Sequence, residues 1–153
     1  MLKANIEYET SEGYKYITDA NGRISKVEAN LELGKANRNS YAQRVAGRED
    51  RLPNDDGGHL IASIFNGSGS LDNLVPMNST LNRGDWKAME KSWAKALDNG
   101  ETVDVKIEPI YSGTSQRPIS FEVEYKIGNG KWIQFLLVIL RFIIVEIFQK
   151  NIM

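Results

Sequence analysis

Residues 85–97, DWKAMEKSWAKAL, form the clearest helical stretch of the chain, and both flanks of that stretch alternate apolar and polar residues with a period of two. Trp86, Met89, Trp93 and Ala96/Leu97 make one stripe, with Asp85 as a helix cap and Gly100 as the end. Because the tryptophans share that stripe, they read as core rather than as base-stacking platforms. Ahead of the helix, Ile6, Tyr8, Tyr14, Tyr16, Ile24 and Val27 predict a β-meander with turns at Gly13 and at DANG, residues 19–22. Behind it, TVDVKIEPIY and ISFEVEYKI predict a hairpin. A helix set among alternating strands predicts an α+β fold, and 153 residues are enough for one domain with a modest core.

Two stretches do not fit the alternation. Residues 34–58 are polar and turn-rich, and a long ordered excursion of that kind often carries function. The run FLLVILRFIIVEIF, 135–148, is apolar but only fourteen residues long and is interrupted by Arg141 and Glu146. A membrane span needs about 20 apolar residues, so no span is expected; a buried strand or helix, or a surface that binds a partner, fits better. The expected organisation is a domain over 1–128 and an atypical hydrophobic extension over 129–153. MLKANIEYET has no apolar h-region, so no signal peptide is expected in this chain.

The chain has no cysteine and one histidine, which excludes a disulfide framework and a thiolate metal site. Its 19 Lys and Arg against 20 Asp and Glu leave a net charge of −1, so a protein acting on nucleic acid would have to gather its cations locally. The histidine, His59, follows NDDGG and opens HLIASIF (59–65), which reads as a short strand; NLVPM (73–77) reads as another. If the two pair, they bring His59 towards the helix. Asn82 and Glu90, eight residues apart, fall within about 80° of each other on one helix. An imidazole, an amide oxygen and a carboxylate then converge. That set suits a hard cation such as Mg²⁺, with the imidazole left free to take a proton from an attacking water. Arg44, Arg48, Arg51 and Arg83 supply a cationic lip for phosphate. The structural alternatives are a turn or cap role for Asn73 and Asn82, a solvated pair with Lys87 or Lys91 for Glu90, and a loop-holding role for Asp56.

The stretch DDGGHLIASIFNGSGSLDNLVPMNSTLNRGDWKAMEKSW resembles the core of the DNA/RNA non-specific endonucleases, a ββα-metal (His-Me finger) family. It is similar in particular to the versions found as C-terminal toxin domains of bacterial polymorphic toxins, including those exported by type VII secretion. The family pattern is Asp-Arg-Gly-His, an asparagine, then Leu-Asn-x-Gly-x-Trp-x-x-x-Glu. Asp56, Gly58 and His59 match the first motif, Asn73 the asparagine, and Leu81, Asn82, Gly84, Trp86 and Glu90 the last. The resemblance implies a ββα-metal core flanked by antiparallel sheet, with His59 as general base. It implies Asn82 as direct ligand of Mg²⁺ (or Mn²⁺), Glu90 as a metal contact through water, and Asn73 as a residue setting the histidine loop. Asp56 and Gly58 would be structural near the site. The usual arginine is Gly57 here, as is usual in the toxin branch, and Arg51 or Arg48 is expected to replace its phosphate contact beside Arg83. The implied function is metal-dependent endonucleolytic hydrolysis of DNA, with RNA as a second substrate. The implied setting is a secreted effector acting in the target-cell cytoplasm and neutralised by a cognate immunity protein. The rival reading is an inactive nucleic-acid-binding or protein-interaction module on the same scaffold.

Overall fold

A computed structural model describes residues 2–138 and 143–150. Residues 139–142 and 151–153, including Arg141 of the apolar run, lie outside the described residues. The alternating segments, joined by strands from the apolar run, form one sheet. Its strands are β1 (Glu7–Glu9), β2 (Lys15–Thr18), β3 (Ile24–Asn30), β6 (Val103–Tyr111), β7 (Pro118–Ile127), β8 (Trp132–Val138) and β9 (Ile143–Lys150), in that spatial order and antiparallel throughout. The expected meander is β1–β3 and the expected hairpin is β6–β7. Inward residues of this sheet, among them Tyr16, Val27, Val105, Ile107, Phe121 and Val123, are buried.

The chain leaves the sheet after β3 and returns at β6, whose register against β3 runs from Val27↔Ile107 to Asn30↔Asp104. Everything else hangs from that crossing: α1 (Ser40–Val45), the two-stranded ladder of β4 (Asp55–His59) and β5 (Leu74–Asn78), and the helices α2 (Ser79–Arg83) and α3 (Asp85–Asp98). As the stripe predicts, α3 packs its tryptophans onto the sheet. Trp86 lies 4.9 Å from Phe121 and Trp93 lies 5.6 Å from Tyr125, ring centre to ring centre, and both indoles are 1% exposed. Fully burying a large apolar side chain contributes about 1.5–3 kcal/mol, so this pair is a main anchor of the helix.

Two local expectations change, and of the readings left open for the apolar run its described residues take the strand. The strand carrying His59 is 55–59, not 59–65, so the histidine closes the strand rather than opening it. Leu60, Ile61 and Phe65 are apolar because they are buried in a turn; the backbone of Ile61 bonds to the Asn73 side chain instead of a neighbouring strand. The helical stretch begins earlier, at Ser79. There the Asn78 side chain accepts from the amides of Thr80 (2.9 Å) and Leu81 (3.4 Å), and Gly84, not Asp85, sits between α2 and α3. Finally, the apolar run contributes to β8 and β9. β8 pairs with β7 from Ser120↔Val138 to Tyr125↔Ile133, and Leu137 joins the core. Among the described residues no helix is long and apolar enough to cross a membrane.

Candidate active site

The β4–β5 ladder runs in register from Asp55↔Asn78 to His59↔Leu74 and is followed directly by α2. Strand pairing and the helix start therefore fix β4 and α2 against each other, so Asp56 on the strand reaches Asn82 and Arg83 on the helix. The Asn82 Nδ2 donates to Asp56 Oδ2 at 3.0 Å, and Arg83 grips the same carboxylate with Nε at 2.9 Å and a terminal nitrogen at 2.7 Å. With its amide nitrogen tied to Asp56, Asn82 has its oxygen left to accept. Partial burial would raise the Asp56 carboxyl, but the bonds from Arg83 and Asn82 outweigh it and hold the group below the usual carboxylate range.

Glycine is required beside this cluster. A Cβ at Gly58 would lie 2.9 Å from Met77 Cβ and 3.3 Å from the Asn82 amide oxygen. A Cβ at Gly57 would collide with the Gln43 carbonyl oxygen and lie 2.5 Å from the Gln43 Cα. The backbone of α1 thus covers the position where the family pattern has arginine, a steric reason for the departure at Gly57.

One cleft of about 490 Å³ gathers His59, Asn82 and Glu90, along with Asp56 and Gly57. Its cations are Arg38, Arg44, Arg51, Arg83 and Lys87, so the local charge is positive in a chain whose net charge is −1. His59 is 8% exposed, and its Nε2 is buried without a hydrogen-bond partner. Burial, helped by the charge of Arg38, lowers its pKa to about 4, so the imidazole is neutral at physiological pH. Glu90 is shifted the other way: burial pushes it up to about 7, against the pull of Arg38 and Lys87.

Asn73 is set apart from the cleft. It is fully buried and makes four bonds: Oδ1 accepts from the Tyr16 hydroxyl (2.7 Å) and the Ile61 amide (3.0 Å), and Nδ2 donates to the carbonyls of Ile61 (2.7 Å) and Ser68 (2.8 Å). It shapes the turn after His59 and ties that turn to the sheet. Arg51 lines the cleft but also donates to the carbonyls of Gln43 and of Asp55 (2.9 Å), joining α1 to β4. Arg48 is not brought to the cleft; it lines a separate cavity of about 140 Å³ with Arg23, Val75 and Tyr111. Asp55 is held by Arg117, whose Nε and a terminal nitrogen donate at 2.7 and 3.0 Å. Sequence reasoning missed Arg38 as a cleft cation and saw Lys87 only as a partner for Glu90. Lys87 could have been found from its three-residue spacing on one helix face, whereas nothing local marks Arg38.

Among the described residues no three His, Cys, Asp or Glu side chains cluster to hold a metal. The donors on offer are the Asn82 amide oxygen and the Glu90 carboxylate. Oxygen donors of this kind fit a hard divalent cation that keeps most of its waters, and do not fit a soft or tetrahedral one.

Comparison with known proteins agrees with this architecture. A family model described as DNA/RNA non-specific endonuclease matches residues 4–129. The type VII secretion system protein EssD of Staphylococcus aureus (strain USA300) is 50% identical over 143 residues, covering 89% of this chain and 23% of EssD. The probable deoxyribonuclease RhsA of Dickeya dadantii (strain 3937) is 27% identical over 116 residues, covering 73% of this chain and 8% of RhsA. The chain thus spans under a quarter of the length of either relative.

Proposed function

Since the chain belongs to the DNA/RNA non-specific endonuclease family, we propose that it hydrolyses phosphodiester bonds of DNA, and of RNA as a second substrate, in a metal-dependent reaction. The observation that carries this reading is the cleft itself. The neutral imidazole of His59 and the amide of Asn82, its nitrogen held by Asp56, line one cation-rich space.

His59, neutral at physiological pH, takes the proton of the attacking water. Asn82 would hold Mg²⁺ (or Mn²⁺) directly and Glu90 through water. A divalent cation held by these two residues would supply positive charge to offset the charge that builds on the phosphate and the leaving oxygen. Asp56 is a positioning residue, acting through its bond to the Asn82 amide. Arg83, Arg44, Arg38 and Lys87 hold the strand's phosphates, with Arg51 bracing the wall they stand on. Asn73 acts through the turn it bonds, not on substrate. Residues 1–128 are taken as the nuclease domain and 129–153 as an extension whose described strands, β8 and β9, add to its sheet.

The biological reading is a secreted effector domain acting in the cytoplasm of a target cell. Its producer would be protected by a cognate immunity protein, acidic where it covers the cleft. Similarity to a type VII secretion system protein supports the secretion part.

Plasmid nicking with Mg²⁺ against EDTA tests the activity, with total RNA digested in parallel. His59→Ala is expected to lose at least about 10²-fold in rate, the scale of a removed general base. Cleavage that persists in EDTA, or a His59→Ala protein as active as the parent, refutes the mechanism. Tight DNA binding without cleavage favours an inactive binding module.

A further inference from the structure

Tyr41 has an environment that its fold does not account for. It sits in α1 with 65% of its surface exposed, while its neighbour Ala42 faces inward and is 4% exposed. The exposed large apolar side chains among the described residues are Ile6, Leu33, Tyr41, Leu52, Ile64 and Ile119; Tyr41 is the most exposed and the only aromatic one. Its helix is no mobile appendage. α1 is capped by the Asn39 side chain and pressed against Gly57, and Arg51 bonds its Gln43 carbonyl. Ser40, Gln43 and Arg44 on either side of Tyr41 line the active-site cleft. The Arg44 guanidinium carbon stands 6.0 Å from the Tyr41 ring centre.

An exposed aromatic ring therefore stands in water beside Arg44, one of the cations that line the cleft. We propose that Tyr41, with Arg44 beside it, is a stacking subsite for an unpaired nucleobase of the bound strand, its phosphates lying in the cleft. The inference rests on the nuclease reading and adds to it a preference for strands whose bases can turn outward. The occupant follows from chemistry. Arg44 binds phosphate, and the neighbouring ring offers a π-face, which every base can stack on without regard to sequence. The aliphatic side chains exposed elsewhere offer charge-free surface but no such face.

Binding of a labelled oligothymidylate to the full chain, measured by fluorescence anisotropy in EDTA, tests the subsite. A strand of equal length and charge carrying abasic residues is the control. The parent protein is expected to bind the thymidine strand about tenfold more tightly than the abasic one, the scale of one base–aromatic stack. Tyr41→Ala is expected to remove that difference by weakening only the thymidine strand. Tyr41→Phe is expected to keep it, and duplex binding is expected to be unchanged in both variants. If Tyr41→Ala weakens both strands equally, or leaves the thymidine strand unaffected, the subsite is overturned. Plasmid cleavage with Mg²⁺, run alongside, separates the two levels. Cleavage without base-dependent binding overturns the subsite alone. Neither cleavage nor binding overturns the nuclease reading and the subsite with it.

Discussion

Two titratable groups in the cleft have been moved in opposite directions by burial, and their effects on stability should nearly cancel. His59 has a folded pKa of about 4 against an ordinary 6.5, and Glu90 about 7 against 4.5. As pH falls below 6.5, the unfolded chain protonates His59 while the folded protein does not, so the histidine makes the fold less stable. Across the same range the folded protein protonates Glu90 before the unfolded chain does, so the glutamate makes the fold more stable as pH falls, and that gain is lost again as pH rises through about 7. Each tenfold difference in proton affinity is worth about 1.4 kcal/mol. Between pH 8 and pH 5 the histidine then costs about 2 kcal/mol and the glutamate contributes about 2.5 kcal/mol. The assay is urea unfolding in EDTA, without nucleic acid, at the two pH values. Over that interval His59→Gln should gain about 2 kcal/mol relative to the parent and Glu90→Gln should lose about 2.5 kcal/mol. Should both variants keep the parent's pH dependence, the two side chains are not buried as described and the reasoning fails.

Other perturbations bear on the frame around the cleft. Arg117→Ala strands the Asp55 carboxylate, which is 1% exposed, and should destabilise the protein by about 3–5 kcal/mol in urea unfolding; a loss under about 1 kcal/mol would show the pair to be dispensable. Asn73→Ala leaves the Ile61 amide and carbonyl and the Tyr16 hydroxyl without their partner, and should cost at least about 3 kcal/mol by the same measurement. Hydrogen exchange should show the amides of 60–67 losing protection in that variant before those of the sheet.

Period and spacing made much of this legible. The strands of the meander and of the β6–β7 hairpin follow from alternation, whereas the continuous apolar run behind β8 and β9 left strand and helix both open; the tryptophan stripe identifies the face of α3 that is buried. The pairing of Asp56 with Asn82 was not legible, because the two are joined by a ladder and a helix start whose limits the sequence blurs. HLIASIF misled for a physical reason. Apolar character reports burial, and the bonds that decide between strand and turn come from Asn73, twelve residues from Ile61. The angle drawn between Asn82 and Glu90 assumed one unbroken helix, whereas Gly84 separates α2 from α3. The two residues still share the cleft, brought there by tertiary packing rather than by helical phase. Arg48 and Arg51 look alike in sequence, and only the packing of α1 on β4 sends one to the cleft and the other away.

The crossing from β3 to β6 sets the order in which the molecule can assemble. These neighbours are joined across the whole cassette, down to the amide of Leu31 donating to the carbonyl of Val103 at 2.8 Å. The two hairpin halves of the sheet can form from local pairs, but joining them means closing a long loop, a step that entropy opposes and that slows folding. Docking of α3 through Trp86 and Trp93 onto Phe121 and Tyr125 of β7 ties the cassette to one half of the sheet and shortens that loop. The insert that carries the cleft is thus the clasp of the sheet as well as its passenger, and damage inside it should delay the completion of strands that do not line that cleft.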